Sequence, residues 1–173
     1  MTKSPREDAR LPIKILVDTN VWLDYFLARS AHHKAVSTFI ARAFECENIV
    51  LYIPSLSLKD LAYQLASLMK LDARHAGKDV TPEIAAAARE VSWGCVRNVL
   101  EKALVAPIGR AEVLGAFTYK RIHDDFEDDL VLAALDAVDA NFLMTHDDTL
   151  RRHVGDFCIT AEEGLELLAE LDR

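Results

Sequence analysis

Four aspartates stand at positions where their side chains could meet at one site: Asp18, Asp60, Asp128 and Asp147. Asp18 and Asp147 follow apolar runs that predict buried strands, whereas Asp60 and Asp128 fall in the opening turns of predicted helices. In an open α/β sheet these places face one crevice at the carboxyl ends of the strands. Carboxylates gathered there repel one another unless a cation neutralises them. The four residues therefore predict a divalent-metal site.

The first two aspartates also have a purely structural interpretation. Asp18 could cap the helix that follows the first strand, although Thr19 or Asn20 could cap it instead. Asp60 completes an approximate capping box with Ser57, in which Asp replaces the usual Glu. The sequence leaves these interpretations open beside the metal-ligand one.

An acidic cluster before a later helix offers several candidates for the third ligand. Its members are Asp124, Asp125, Glu127, Asp128 and Asp129. Acids in a first helical turn also complement the helix dipole. Asp128 shares one helical stripe with apolar residues three, four and seven positions later, whereas Asp129 is rotated by about 100°. Asp128 is therefore the preferred ligand, with Asp125 in reserve.

Two aspartates follow the run "FLMT", where another strand is expected to end. Asp147 is the preferred ligand of the pair and Asp148 the second choice. Asp147 or His146, together with Thr145, could instead cap the next helix. For His146 itself we expect a surface position.

The net charge of −8 argues against a broad basic face for nucleic acid. A local basic face stays open, because part of the negative charge could belong to a metal site. Arg151 and Arg152 are the candidates for substrate binding, with a solvated helix end as the alternative interpretation. Three widely spaced cysteines without a C-x-x-C motif predict neither a disulfide framework nor a zinc knuckle.

The length of 173 residues suits one domain with a substantial core. Residues 1–12 are polar and lack the apolar stretch of a secretory signal, and no apolar run reaches the length of a membrane span. We expect a flexible leader over residues 1–12, a single domain over residues 13–173, no membrane contact and a cytoplasmic location.

Predicted strands and helices alternate along the chain. The runs "IKILV", "NIVLYIP" and "ANFLMT" are typical of strands buried on both faces, and "VAPIG" and "DFCIT" are shorter candidates. Amphipathic segments separate them, and two of these predict long helices, from about Ser55 to Lys70 and from about Glu83 to Leu104. Such alternation predicts parallel βαβ units in a three-layer α/β/α fold with a central, mainly parallel sheet.

Three of these segments resemble the PIN-domain family, and within it the VapC-type toxins. They are "ILVDTNVWLDYFL", "DFEDDLVLAAL" and "FLMTHD", and the resemblance extends over roughly residues 13–171. It implies an Mg²⁺- or Mn²⁺-dependent ribonuclease with acidic ligands at one end of a parallel sheet. Matched by position, the implied metal ligands are Asp18, Asp60, Asp128 and Asp147, with Asn20 and Thr145 as polar residues beside the metal. The family's second acid is usually Glu, so Asp60 is one methylene shorter.

The resemblance also implies a reaction and partners. A metal-activated water would hydrolyse phosphodiester bonds of single-stranded or looped RNA, leaving 5′-phosphate and 3′-hydroxyl ends. The protein would be the toxin of a type II toxin–antitoxin pair, with a cognate antitoxin protein and a homodimeric state. A catalytically weak or inactive PIN-fold module that binds RNA or protein is the alternative. A phosphatase of the haloacid-dehalogenase type would need D-x-D, and the third position is Asn20.

Overall fold

The computed structural model describes residues 11–121 and 124–172, so most of the expected leader, residues 1–10, lies outside the described part. The strands are β1 (Ile13–Val17), β2 (Ile49–Pro54), β3 (Leu104–Ala106), β4 (Phe142–Met144) and β5 (Cys158–Ile159). The helices are α1 (Thr19–Phe26), α2 (His33–Glu45), α3 (Ser55–His75), α4 (Pro82–Leu100), α5 (Arg110–Tyr119), α6 (Phe126–Ala137), α7 (Asp148–Val154) and α8 (Ala161–Leu171). A 3₁₀ turn, Gly155–Phe157, leads into β5.

The five strands form one parallel sheet in the order β3-β2-β1-β4-β5. β1 lies at its centre, where Ile15 is level with Leu51 on one side and with Phe142 on the other. The apolar runs read from the sequence are the three inner strands, which have neighbours on both edges. The predicted α/β fold with a central parallel sheet is confirmed.

Two apolar clusters cover the two faces of the sheet. Ile15 and Val17 belong to the larger cluster and Leu16 to the smaller one, because successive strand residues point to opposite faces. Trp22 and Phe39 are fully buried in the larger cluster. Helices on both sides complete the three layers.

The structure corrects the interpretation of Asp60 as part of a capping box. Helix α3 begins at Ser55, directly after β2, and its N-cap residue Pro54 makes no side-chain capping bond. Ser57 is therefore already inside the helix and buried, and Asp60 lies in the second turn. A capping box at that point is wrong because its Ser would have to be the N-cap residue, and that position is occupied by Pro54.

Two helix lengths also differ from the sequence patterns. α3 continues to His75, beyond the expected end near Lys70, and α4 ends at Leu100 instead of near Leu104. α3 packs against α4. Among the described helices, none combines the length and the apolar character that a membrane crossing requires.

Gly164 provides a test of how closely α8 packs on α2. A Cβ atom at this position would lie 2.8 Å from Phe39 Cε2 and 2.6 Å from Met144 Cε. The buried ring of Phe39 has little room to move, so we predict that Gly164→Ala lowers the free energy of unfolding by about 1–3 kcal/mol. Urea denaturation measures the change.

Gly94→Ala in α4 is the matched control, since nothing lies within 4 Å of a Cβ atom there. Alanine is the better helix former, so the control should gain about 0.5–1 kcal/mol. An equal gain for Gly164→Ala would show that α8 does not contact Phe39 as closely as described.

Candidate active site

Asp18 lies at the carboxyl end of β1, where the chain turns into α1. Its side chain is buried, and its backbone N–H donates to the carbonyl of Met144 on the neighbouring strand at 3.0 Å. Oδ1 accepts a hydrogen bond from the N–H of Thr19 at 2.6 Å, so Asp18 is the N-cap residue of α1. Capping uses one carboxylate oxygen and is compatible with a ligand role for the carboxylate.

Asn20 and Thr145 hold the other oxygen of Asp18. Asn20 Nδ2 donates to Asp18 Oδ2 at 2.7 Å, and Thr145 Oγ1 donates to the same atom at 2.8 Å. Asn20 Nδ2 is also 3.0 Å from Thr145 Oγ1. Thr145 is fully buried. The two residues that the family resemblance singled out as polar neighbours therefore fix the orientation of the Asp18 carboxylate.

The same hydrogen bonds position the loop that carries Asp147. Thr145 Oγ1 accepts from the N–H of Asp147 at 3.1 Å, and Asn20 Oδ1 accepts from the N–H of His146 at 3.1 Å. Asp147 Oδ1 caps α7 by accepting from the N–H groups of Thr149 and Leu150 at 2.7 and 2.9 Å. Asp147, and not His146 or Asp148, is thus the capping residue.

The electrostatics of Asp18 show that other carboxylates lie nearby. Burial is the main reason that the pKa of Asp18 is raised to about 6, and the charges of Asp128 and Asp147 contribute to this increase. Hydrogen bonds from Thr145 and Thr19 act in the opposite direction. Three of the four predicted ligands are therefore brought to the same edge of the sheet. Holding Asp18 ionised there costs stability.

The acidic residues at the start of α6 differ in position and interactions. Asp125 is the N-cap residue, and its Oδ1 accepts from the N–H groups of Glu127 and Asp128 at 2.9 and 3.4 Å. Asp129 is buried and lines a small cavity between α5 and α6. Asp128 is the member whose charge acts on Asp18. Asp128 therefore remains the predicted ligand of this cluster.

The charge of Asp60 acts on Glu127, the residue directly before Asp128. Burial raises the pKa of Glu127, and the charges of Asp60, Asp125 and Asp128 add to the effect, while Lys59 lowers it. Lys59 Nζ lies 3.0 Å from Asp60 Oδ1. Sequence reasoning grouped Glu127 with the acidic cluster but did not single it out. Its signal was the position directly before Asp128 in "DDFEDD".

The two candidate substrate-binding arginines lie on α7. Arg151 pairs with Glu163 at 3.1 Å, and Arg152 donates to the backbone carbonyl of Asp148 at 2.9 Å. Together with Asp148 they line an open hollow on the surface. The charges of Arg151 and Asp18 both act on Cys158, whose pKa is raised to about 11 chiefly by burial. This thiol stays protonated at neutral pH and is no nucleophile.

His146 is a site residue whose position the sequence did not reveal. The expected surface position is wrong, because the side chain is only 8% exposed. Its Nδ1 lies 2.7 Å from Asp24 Oδ2, and its ring stacks on His32 with 4.1 Å between the ring centroids. These partners come from α1 and the start of α2, so only the folded chain brings them together.

The donor atoms at the edge of the sheet are carboxylate oxygens, which suit Mg²⁺ or Mn²⁺. Asp128 and Asp147 are near enough for their charges to raise the pKa of Asp18, so a divalent ion at this edge would meet three carboxylates. Mg²⁺ commonly binds through one or two carboxylates and keeps several waters. The donor set therefore fits a hydrated divalent ion.

Comparisons with known proteins show the family of this chain. A family model described as a PIN domain matches residues 14–149, which include Asp18, Asp60, Asp128 and Asp147. The chain belongs to the PIN-domain family. A search of curated proteins gives no match.

Several solved structures share the fold of this PIN domain. VapBC-1 of nontypeable Haemophilus influenzae is 14% identical with a TM-score of 0.58, and the match covers 86% of this chain and 98% of that one. VapBC2 of Rickettsia felis, bound to a promoter DNA fragment, is 13% identical with a TM-score of 0.56 and coverages of 86% and 98%. VapC20 of Mycobacterium tuberculosis, described as a sarcin–ricin loop cleaving toxin, is 18% identical with a TM-score of 0.51 and coverages of 78% and 92%.

The raised pKa of Asp18 makes the stability of the metal-free PIN domain depend on pH. The folded protein keeps the Asp18 proton up to about pH 6, whereas the unfolded chain releases it near pH 4. Ionisation therefore lowers the free energy of unfolding as the pH rises through this window, by about 2–3 kcal/mol. Asp18→Asn removes the charge at a cost of about 1 kcal/mol in hydrogen bonding.

We predict that, in EDTA, Asp18→Asn is more stable than wild type by about 1–2 kcal/mol at about pH 8 and no more stable at about pH 4. Urea denaturation at the two pH values measures this crossover. A variant that is strongly destabilised at both pH values would instead assign Asp18 a purely structural role.

Proposed function

We propose that this protein is an Mg²⁺- or Mn²⁺-dependent ribonuclease and the toxin of a type II toxin–antitoxin pair. The observation that carries the proposal is the buried carboxylate of Asp18, held by Asn20 and Thr145 and facing the charges of Asp128 and Asp147. Such a cluster weakens the fold unless a cation compensates it. Membership of the PIN-domain family supports the same chemistry.

In this proposal Asp18, Asp128 and Asp147 hold the ion, directly or through water. Asn20 and Thr145 act as positioning residues that orient Asp18 through hydrogen bonds of 2.7 and 2.8 Å. When bound, the ion polarises the scissile phosphate and lowers the pKa of the attacking water. Asp147 can take part while its Oδ1 caps α7, because its second oxygen is not needed for the cap.

RNA is the proposed substrate, and Arg151 and Arg152 are its proposed phosphate contacts. They lie on α7, the helix that Asp147 caps, so both the ion ligand and the basic residues belong to one element. An open edge of the sheet favours single-stranded or looped RNA, whose backbone is accessible. VapC20, the similar toxin, is described as cleaving the sarcin–ricin loop. We propose RNA as the class of substrate for this protein, and we do not propose the sarcin–ricin loop as its target.

An antitoxin protein and a second copy of the chain are the proposed partners. Similar solved structures include VapBC pairs. Large apolar side chains are exposed on α4 and at the sheet edge β3, among them Trp93 (68%), Leu100 (48%) and Leu104 (57%). An apolar surface of this kind is typical of a protein–protein contact. A cytoplasmic location, where RNA and antitoxin would meet the protein, is part of the proposal.

One observation favours the alternative, a PIN fold that binds RNA or protein without cutting. Lys59 Nζ lies 3.0 Å from Asp60 Oδ1 and competes with an ion for that carboxylate. Purified protein that binds RNA but never cleaves it with Mn²⁺ present would support this alternative.

Any change that removes metal binding should also remove RNA cleavage. We predict that millimolar Mn²⁺ raises the melting temperature of the wild type, since an ion at ten times its Kd adds about 1.4 kcal/mol. EDTA should abolish cleavage of a single-stranded RNA. Asp128→Asn should remove most of the thermal shift and reduce cleavage by a factor on the order of a hundred or more.

Asp79→Asn is the matched control for this experiment. Asp79 is an exposed carboxylate in the loop before α4 and should leave both the shift and the cleavage unchanged. Undiminished cleavage in EDTA, with contaminating nuclease excluded by an identically purified Asp128→Asn sample, would contradict the proposal.

Asp60→Glu tests whether the shortened acid limits the site. The longer side chain would extend past Lys59 towards the ion, so we predict tighter Mn²⁺ binding or faster cleavage than in wild type. Calorimetric titration and single-turnover cleavage measure the two effects. If Asp60→Glu and Asp60→Ala both match wild type, Asp60 is not a ligand.

A further inference from the structure

A second group of potential metal ligands lies beside the acidic edge and consists of His32, His146 and Glu162. Each offers one nitrogen or oxygen atom, and the three atoms lie within 4.8 Å of one another. The residues come from three parts of the chain: the start of α2, the loop after β4 and the first turn of α8. Their proximity is therefore a product of the tertiary fold.

His146 has the hydrogen-bonding arrangement that is common for metal-binding imidazoles. Its Nδ1 lies 2.7 Å from Asp24 Oδ2, and the other oxygen of Asp24 accepts a hydrogen bond from Ser30 Oγ. Nε2 of His146 is buried and has no hydrogen-bond partner among the described residues. A carboxylate on one ring nitrogen fixes the tautomer and leaves the other nitrogen as a lone-pair donor. A buried ring nitrogen without a partner is costly, and a bound ion would satisfy it.

His32 and Glu162 are free to adjust to an ion. His32 stacks on the His146 ring and is exposed, and although it precedes α2 its side chain makes no capping bond. Glu162 is exposed as well. Ligand atoms around a tetrahedral Zn²⁺ lie about 3.3 Å apart, given bonds of about 2 Å. Rotation of the two exposed side chains can close the remaining distance.

We propose that His32, His146 and Glu162 bind a transition-metal ion of the Zn²⁺ class, with water as a fourth ligand and Asp24 orienting His146. Imidazole nitrogens favour such ions, whereas the all-oxygen set around Asp18 favours Mg²⁺ or Mn²⁺. The two sites are therefore chemically distinct, and this inference does not depend on ribonuclease activity. Because the N–H of His146 donates to Asn20 Oδ1, the ion would also stabilise the loop that carries Asp147.

Co²⁺ titration of the full chain above about pH 7 tests the proposal, because four-coordinate Co²⁺ with nitrogen ligands absorbs visible light far more strongly than Co²⁺ in an octahedral oxygen site. We expect one equivalent of Co²⁺ to produce this absorption band and Zn²⁺ to abolish it by displacement. His32→Ala and Glu162→Gln should each weaken Co²⁺ binding at least tenfold. Both side chains are exposed, so both variants should fold, and thermal melts without metal verify this.

Two control variants separate this site from others. His75→Ala removes another exposed histidine, at the end of α3, and should leave the titration unchanged. Asp128→Asn disables the proposed magnesium site and should retain the band. The proposal is overturned if no band forms, if the band survives in both His32→Ala and Glu162→Gln, or if it disappears in Asp128→Asn alone.

Discussion

The carboxylate of Asp18 is the group on which the arrangement of the candidate site depends. It sits at the end of the central strand and is bound by the backbone of Thr19 and by the side chains of Asn20 and Thr145. Thr145 belongs to the chain segment after β4, so this one carboxylate joins the ends of two neighbouring strands to the start of α1. The loop carrying Asp147 is positioned by the same atoms. A change in the charge or orientation of the Asp18 side chain would therefore alter the positions of Asn20, Thr145 and the loop that carries Asp147.

The protein holds this charge at a place where it costs stability, and the apolar clusters supply the rigidity that keeps it there. Val17 and Val21, which flank the Asp18–Asn20 segment, are fully buried, and so is Trp22. Burial, together with the charge of Asp128, raises the pKa of Asp18 to about 6. A site that is unfavourable for the fold alone becomes favourable once a cation is bound, because the ion compensates the repulsion. This coupling is a physical reason for keeping acidic residues together at the edge of a well-packed sheet.

The short segment from Thr145 to Asp147 contributes residues to two different sets of donor atoms. Thr145 and Asp147 face the oxygen-rich edge of the sheet, whereas His146 turns towards Asp24 and His32. Three consecutive residues can do this because the strand ends at Met144 and the helix begins at Asp148, which leaves the segment free of regular structure. Hard and borderline metal ions prefer different donors, so the two sides of the segment need not compete for the same ion.

Hydrophobic periodicity and chain position are local properties, and they were enough to predict the order of strands and helices along the chain and the parallel sheet. The same properties singled out Asp18, Asp128 and Asp147 as candidate ligands. The sequence by itself did not decide how the carboxylates are held: Asp18 caps α1, and Asp60 pairs with its neighbour Lys59 inside a helix. It also gave no sign that His146 is buried. That arrangement depends on contacts between residues more than a hundred positions apart, and such contacts arise only when the sheet brings β1 and β4 together. Tertiary packing decides these contacts because burial and hydrogen-bond partners, unlike periodicity, belong to the folded chain as a whole.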